Sequence, residues 1–192
     1  MEIKNCPVCN NGNFSNHIES KDFSVSKESF VIVSCDKCDF HFTNPRPSDE
    51  NLGKYYISDH YISHNNTSRT FFEKLYQLVR KFATNRKFNL ISSIFSSGKI
   101  LDVGCGTGDF LNKCKNKNWE TKGIEPSKIA RDQAINNYNL DVEKSTDLSQ
   151  LEGQFDIITM WHVLEHVPNL NETLVQFKQL LSKKGKIIIA VP

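Results

Sequence analysis

A chain of 192 residues, 38% hydrophobic and 24% charged, has the composition of an ordinary globular protein, long enough for one core and a smaller satellite. Its 24 basic and 22 acidic residues are scattered among one another for a formal net charge of +2, which gives no basic stripe for tracking phosphates and argues against a nucleic-acid partner. No apolar run approaches the roughly 18 residues of a membrane span, and Met1-Glu2-Ile3-Lys4-Asn5-Cys6 lacks a signal-peptide stretch, so the expectation is a cytoplasmic protein with no membrane partner, whose six cysteines serve as thiolates or buried thiols.

Residues 1–44 carry Cys6-Pro7-Val8-Cys9 and Cys35-Asp36-Lys37-Cys38, a C-x2-C-x25-C-x2-C pattern, on either side of the β-rich run Ser29-Phe30-Val31-Ile32-Val33. Two such knuckles can bring four thiolates to one tetrahedral ion, and zinc held by Cys6, Cys9, Cys35 and Cys38 is expected. With all four positions filled by thiolate no place remains for water, so the ion is structural and folds a small β zinc ribbon that has no adequate core of its own. Neither pair precedes a helix, which counts against a redox motif; Cys105 and Cys114 lie outside the pattern and read as small buried residues.

The stretch Asn44-Pro45-Arg46-Pro47-Ser48 breaks regular structure and marks a boundary, giving a ribbon at 1–44, a connector with N-terminal helices at 45–97 and a core at 98–192. Tyr55, Tyr56, Tyr61 and His64 of the connector either cover the site or pack on the helix that follows. From about 69 to 95, Phe71, Phe72, Leu75, Leu78, Val79 and Phe82, then Phe88, Ile91, Ile94 and Phe95, recur at helical spacing and predict one or two amphipathic helices. Beyond Gly98 the pattern alternates: strand 99–103, helix 108–117, strand 120–124, helix 127–138, strands 140–143 and 155–160, helix 170–182, strand 186–191. Strands alternating with helices predict an α/β class, a Rossmann-like doubly wound, mostly parallel sheet.

Lys99-Ile100-Leu101-Asp102-Val103-Gly104-Cys105-Gly106-Thr107-Gly108-Asp109 is a buried strand entering a glycine turn and then a helix. Gly104, Gly106 and Gly108 let the backbone approach a ligand, and Asp102 places a carboxylate at the strand end. A dinucleotide fingerprint needs G-x-G-x-x-G, whereas position 109 is Asp, and a pyrophosphate would be repelled by Asp102 and Asp109. S-adenosylmethionine fits instead, having no phosphate and carrying an ammonium and a sulfonium. Glu125, in Gly123-Ile124-Glu125-Pro126-Ser127, ends the next strand roughly 20 residues after the first glycine, the distance at which a carboxylate reaches ribose hydroxyls. Pro126 suits the first turn of the following helix, and Asp147 after the third strand is placed to accept from the adenine amine.

LDVGCGTGDFL, GIEPS and FDIITMWHVLEHV in this spacing resemble the class I S-adenosylmethionine-dependent methyltransferases, especially the branch containing the ubiquinone-pathway O-methyltransferases, over roughly residues 98–192. The resemblance implies that Gly104, Gly106 and Gly108 shape the cofactor loop, that Glu125 holds the ribose, and that Trp161-His162 lies beside the methyl donor. The ribbon followed by Phe40-His41-Phe42-Thr43-Asn44-Pro45-Arg46-Pro47 is similar to bacterial enzymes of sugar and natural-product pathways, the sugar C-methyltransferases included.

Methyl transfer leaves the protein to align donor and acceptor and, where the acceptor holds a proton, to remove it. His162 and His166, with Glu165 between them, follow the strand that points at the donor; either histidine can serve as base, and the bland alternative is that Glu165 and His166 only cap or pack the next helix. In the ubiquinone branch an acidic cluster here is associated with a divalent cation; His162 stands at its first acidic position, a departure that counts against metal-assisted transfer.

The favoured reading is methyl transfer to a small-molecule acceptor of sugar, natural-product or quinone and phenol type; the alternatives are an RNA methyltransferase docking through its ribbon and a noncatalytic ribbon module on a Rossmann scaffold. The chain stops at Ile187-Ile188-Ile189-Ala190-Val191-Pro192, the fifth strand of a sheet that has seven in the family, which leads to the expectation of a truncated chain or of a partner pairing with that edge, a homodimer among the possibilities.

Overall fold

The computed structural model describes residues 1–23, 25–52, 55, 71–144, 148 and 151–192, with the side chains of 49–50 and 71–76 outside the description. Two compact units divide the chain, residues 1–67 with 168–171, and residues 68–167 with 172–192.

In the first unit β1 (Phe14–Lys21), β2 (Ser29–Cys35) and β3 (His41–Thr43) form an antiparallel sheet in the order β1-β2-β3, with a single helical turn α1 (Asp49–Leu52) after it. Only β2 announces itself in the sequence. Seven of the eight residues of β1 are exposed, so it has no apolar alternation to read, and its pairing with β2 is what makes it a strand. Its register shifts between Asn16 and Ile18, a bulge that turns its edge. The apolar content is small: Val33 is buried, and the Phe14 and Phe42 rings meet edge to face at 5.0 Å. Tyr55 belongs with this sheet, its ring against Phe30 and its hydroxyl donating to Glu28, while Tyr56, Tyr61 and His64 lie outside the described residues.

The second unit contains α2 (Phe71–Ile94), β4 (Lys99–Val103), α3 (Asp109–Lys115), β5 (Glu120–Ile124), α4 (Lys128–Tyr138), β6 (Val142–Glu143), β7 (Phe155–Trp161), a 3-10 turn at Leu164–His166, α5 (Leu170–Leu180) from residue 172 on, and β8 (Leu181–Ala190). All five strands run parallel in the order β6-β5-β4-β7-β8. The α/β class read from the alternation is the one observed.

Two clusters show the layers. Ile91, Ile100, Phe110, Leu111, Ala134 and Ile157 share one face of the sheet with α2, α3 and α4; Leu101, Ile158, Met160, Phe177 and Leu180 share the other with α5. Neighbours in one strand point opposite ways, so Ile100 and Leu101, or Ile157 and Ile158, are each fully buried on opposite faces. Each such side chain contributes about 1.5–3 kcal/mol on burial.

Several boundaries moved for local reasons. Ser127, not Pro126, is the cap of α4, accepting from the Ala130 N–H at 3.5 Å; Pro126 therefore precedes the helix instead of opening it. The strand expected at 140–143 shrinks to Val142–Glu143, the part of the sheet edge that pairs with β5. The predicted helix 170–182 ends at Leu180, and β8 begins at once, its pairing with β7 jumping from Phe155↔Leu181 to Ile157↔Lys186. One continuous helix covers 71–94, and although Ile91 is fully buried, Leu78, Val79 and Phe82 of the predicted apolar set stay exposed. No described helix is long and apolar enough to cross a membrane.

Candidate functional site

The strand order fixes where a ligand can enter. β5 and β6 add to one side of β4, and the chain then returns to lay β7 and β8 on the other, so the β4–β7 boundary is a topological switch point. Open parallel sheets bind ligands beyond the carboxyl ends of strands at such a point. Beyond β4 comes Gly104 to Gly108, beyond β5 comes Glu125, and β7 ends on Trp161 with His162 next; Asp147 lies outside the described residues.

All three loop glycines take left-handed backbone, at φ 73, 56 and 82 for Gly104, Gly106 and Gly108. Their surroundings differ. A Cβ on Gly104 would lie 2.5 Å from Val163 Cγ2 and one on Gly108 2.6 Å from Leu140 Cδ1, whereas one on Gly106 would meet nothing within 4 Å among the described residues. Gly104 and Gly108 thus serve packing, and Gly106 stands clear of the other described residues. The loop is tied to β5: the Gly104 and Cys105 N–H groups both donate to the Ile124 carbonyl, at 2.8 and 3.0 Å. Glu125, 5% exposed, accepts from the Gly106 N–H at 2.8 Å and the Ser127 N–H at 2.9 Å, one on each carboxylate oxygen. Each oxygen keeps a lone pair for a further donor.

Asp102 sits deeper than a strand-end position implies. It is 2% exposed, with the fully buried Thr159 of β7 donating its hydroxyl to Oδ1 at 2.6 Å. Burial drives its carboxyl up; the Thr159 hydrogen bond and the Lys87 charge pull it back, Glu125 adds to the rise, and the balance is about 7. Lys87 of α2 places its ammonium 4.7 Å from the centre of the Trp161 ring, and burial lowers its pKa against the raising effect of Asp102. The Trp161 and Phe110 rings meet edge to face at 5.6 Å between centroids, and the buried Trp161 indole N–H has no hydrogen-bond partner among the described residues.

Lys87 and Thr159 were missed in the sequence. Thr159 is the polar interruption of an apolar central strand, a signal that acquires meaning only when β4 sets Asp102 opposite it in the ladder. Asp109, expected to repel a diphosphate, is instead bonded by Arg80, Thr107 and Tyr138, so its charge is largely answered.

His162 adopts φ 59, left-handed backbone unusual for a side chain of its size, while its N–H donates to the Ala190 carbonyl at 2.8 Å. That turn throws the imidazole out of the strand line, 62% exposed, with Nδ1 3.9 Å from Glu165 Oε1. His166 closes the 3-10 turn Leu164–His166, which has no side-chain cap.

In the first unit the four cysteines come together, their Sγ atoms all within 4.8 Å of one another, with Cys6···Cys38 at 3.6 Å and Cys9···Cys35 at 3.5 Å. A tetrahedron with bonds of about 2.3 Å has sulfur edges of about 3.8 Å, so the thiols fit a zinc ion. The two knuckles repeat one backbone pattern. Cys6 N–H donates to Asn11 and Asn10 N–H to Cys6; Cys35 N–H donates to Phe40 and Asp39 N–H to Cys35. Asn10 and Asp39 hold the left-handed position of each turn, at φ 60 and 58, a role short amide and carboxylate side chains tolerate. Burial raises the Cys35 thiol, but donors from the Lys37 and Cys38 backbone and from the Cys9 and Cys38 thiols outweigh it and bring it to about 6.

The family model described as a methyltransferase domain matches residues 62–192. The ubiquinone biosynthesis O-methyltransferase of Schizosaccharomyces pombe is 28% identical over 105 residues, 50% of this chain and 38% of that protein. That of Pasteurella multocida is 30% identical over 109 residues, 48% of this chain and 45% of that protein. The chain therefore spans less than half the length of these relatives. Among solved structures, the magnesium protoporphyrin IX methyltransferase of Synechocystis PCC 6803 with bound S-adenosylmethionine superposes with a TM-score of 0.56 at 17% identity, over 77% of each chain, a likeness of fold.

Proposed function

Because the chain belongs to the methyltransferase-domain family, we propose that it binds S-adenosylmethionine beyond the carboxyl ends of β4 and β5 and transfers the methyl group to a small-molecule acceptor. The observation that carries the reading is the loop itself: left-handed Gly106 is clear of every described residue while the Glu125 carboxylate holds its N–H. A loop braced from behind, with its front clear of the described residues, is suited to meet a ligand.

Bound S-adenosylmethionine supplies an electrophilic methyl on its sulfonium. The residues around it then have distinct tasks. Glu125 would offer its remaining lone pairs to the ribose hydroxyls; Asp102, when ionised, would hold the ammonium and Lys87 the carboxylate; the Trp161 ring, fixed by Phe110 and Lys87, would exclude water beside the donor. Asp147 remains assigned to the adenine amine. Gly104 and Gly108 keep the loop's course.

His162 would take the proton of the acceptor hydroxyl and pass it to water, the bound cofactor supplying the methyl group; His166 is the second base in reach of the same turn. The exposed imidazole, held out by its left-handed backbone, supports this role. The acceptor is a sugar, natural product, quinone or phenol with an ionisable hydroxyl; the near-balanced charge and the names of the relatives support a small molecule over RNA.

Residues 1–44 form a zinc ribbon in which Cys6, Cys9, Cys35 and Cys38 hold the ion for structure, 45–97 the connector and N-terminal helices, and 98–192 the cofactor-binding core.

Calorimetric titration of S-adenosylmethionine and S-adenosylhomocysteine into the chain tests this. Binding in the micromolar range, weakened at least about tenfold by Glu125→Gln, is expected, since the variant keeps shape but loses the charge shared between loop and ribose. A folded chain that binds neither ligand would reject the reading.

A further inference from the structure

Three elements converge on the carboxylate of Asp109, the first residue of α3. The Thr107 hydroxyl donates to Oδ2 at 2.9 Å, and the hydroxyl of Tyr138, the last residue of α4, donates to Oδ1 at 2.8 Å. From α2, Nη2 of Arg80 bonds both Oδ2 and the Thr107 hydroxyl. Thr107 has one hydroxyl proton and gives it to Asp109, so it receives Arg80 on a lone pair, and Arg80, Thr107 and Asp109 close a ring. Burial, and then the bond to Asp109, push the Tyr138 phenol up, which keeps it a donor at neutral pH. With side-chain exposures of 22% for Arg80 and 29% for Asp109, the pair is shielded from much of the screening that weakens surface ion pairs.

Thr107 stands between Gly106 and Gly108, in a loop of three left-handed glycines that has a large backbone entropy to lose on ordering. Glu125 fixes that loop from the side of β5 through the Gly106 N–H, one residue before Thr107. Gly108, the N-cap of α3, has no side chain with which to cap the helix, and the ring beginning at Arg80 supplies the second anchor.

We propose that Arg80 is a positioning residue for the cofactor loop, acting through Thr107 and Asp109 to hold the Gly106 segment in its ligand-receiving conformation without touching the ligand. The inference rests on the S-adenosylmethionine reading above. Arg80 of α2 thereby ties the N-terminal helix to cofactor affinity, and Tyr138 ties in α4.

The test measures S-adenosylmethionine affinity and amide hydrogen exchange of residues 104–108 on the whole 192-residue chain. Arg80→Gln and Asp109→Asn should each raise Kd about tenfold, and the double variant no further, because both break one ring. Arg80→Lys should recover most of the affinity: both bonds leave a single nitrogen, which an ammonium with three donors can replace, whereas a bulk packing role would give no such rescue. Tyr138→Phe, which removes one hydroxyl and leaves the fold in place, should raise Kd about two- to threefold.

In the cofactor-free chain, exchange at 104–108 should quicken in Arg80→Gln and return in Arg80→Lys, with the central strands unchanged. Wild-type binding that survives Arg80→Gln and Asp109→Asn unaltered, or additive losses in the double variant, would overturn the inference. A wild-type chain that does not bind the cofactor would instead defeat the functional reading, and loop exchange would still decide the role of Arg80.

Discussion

Replacing Asp102 by Asn should make the α/β unit more stable and its cofactor binding worse. Asp102 is 2% exposed, receives one hydroxyl, and its carboxyl rises from the usual 3.8 to about 7. Each pH unit of separation between folded and unfolded values is worth about 1.4 kcal/mol, so the ionised group costs the folded state roughly 4 kcal/mol above pH 7. The sign follows from the raised value: stability is full below about pH 4, where both states hold the proton, and is lost as pH rises through 7. Asn keeps the shape and the acceptor for Thr159 but has no charge to bury.

Urea unfolding followed by tryptophan emission reports on the right unit, because the only two tryptophans, Trp119 and Trp161, both lie in it. Between about pH 5 and pH 8 the advantage of Asp102→Asn should grow by about 3 kcal/mol. Over the same interval wild-type affinity for S-adenosylmethionine should strengthen through pH 7 as the carboxylate ionises to face the ammonium, while the variant's stays flat and weak. A stability difference between variant and wild type that does not change with pH would refute the reasoning, since it would mean that the buried carboxyl ionises in the folded state as easily as in the unfolded one.

The loop glycines separate architecture from ligand space. Gly104→Ala puts a methyl 2.5 Å from Val163 at φ 73 and should cost about 2–4 kcal/mol in unfolding free energy; Gly106→Ala, with no described residue within 4 Å, should cost only the left-handed strain of about 1–2 kcal/mol yet weaken cofactor binding at least about tenfold. Equal effects of the two on binding and on stability would contradict that division. Chelation of zinc from the loaded chain should melt the β1–β3 sheet, seen as loss of amide protection there, while tryptophan emission from the α/β unit holds; retained ribbon protection after complete metal removal would show that the thiols need no ion to fold it.

The order and type of the α/β elements, the glycine turn, Glu125 and the paired cysteine knuckles were all readable in the sequence. These are signals written within a few residues: strand and helix periods, glycines at fixed spacing, an acid at a strand end, C-x2-C turns. The strand expected at 120–124 is the one observed, Glu120–Ile124.

What the tertiary structure decided was which distant residues meet. β1 carries no apolar alternation and exists by pairing with β2; Thr159 meets Asp102, 57 residues away, because the β4–β7 register sets them opposite; and Arg80 reaches Thr107 and Asp109, and Lys87 reaches Trp161, because α2 lies across one face of the sheet. The depth of Asp102 follows from the same cause. A strand-end carboxylate looks solvated in the sequence, and only the two flanking strands and the helix above it remove the water, which shifts its protonation. Local pattern sets elements because backbone preference is local; the chemistry of this site is set by register and crossing, which depend on contacts between segments that the chain brings together only on folding.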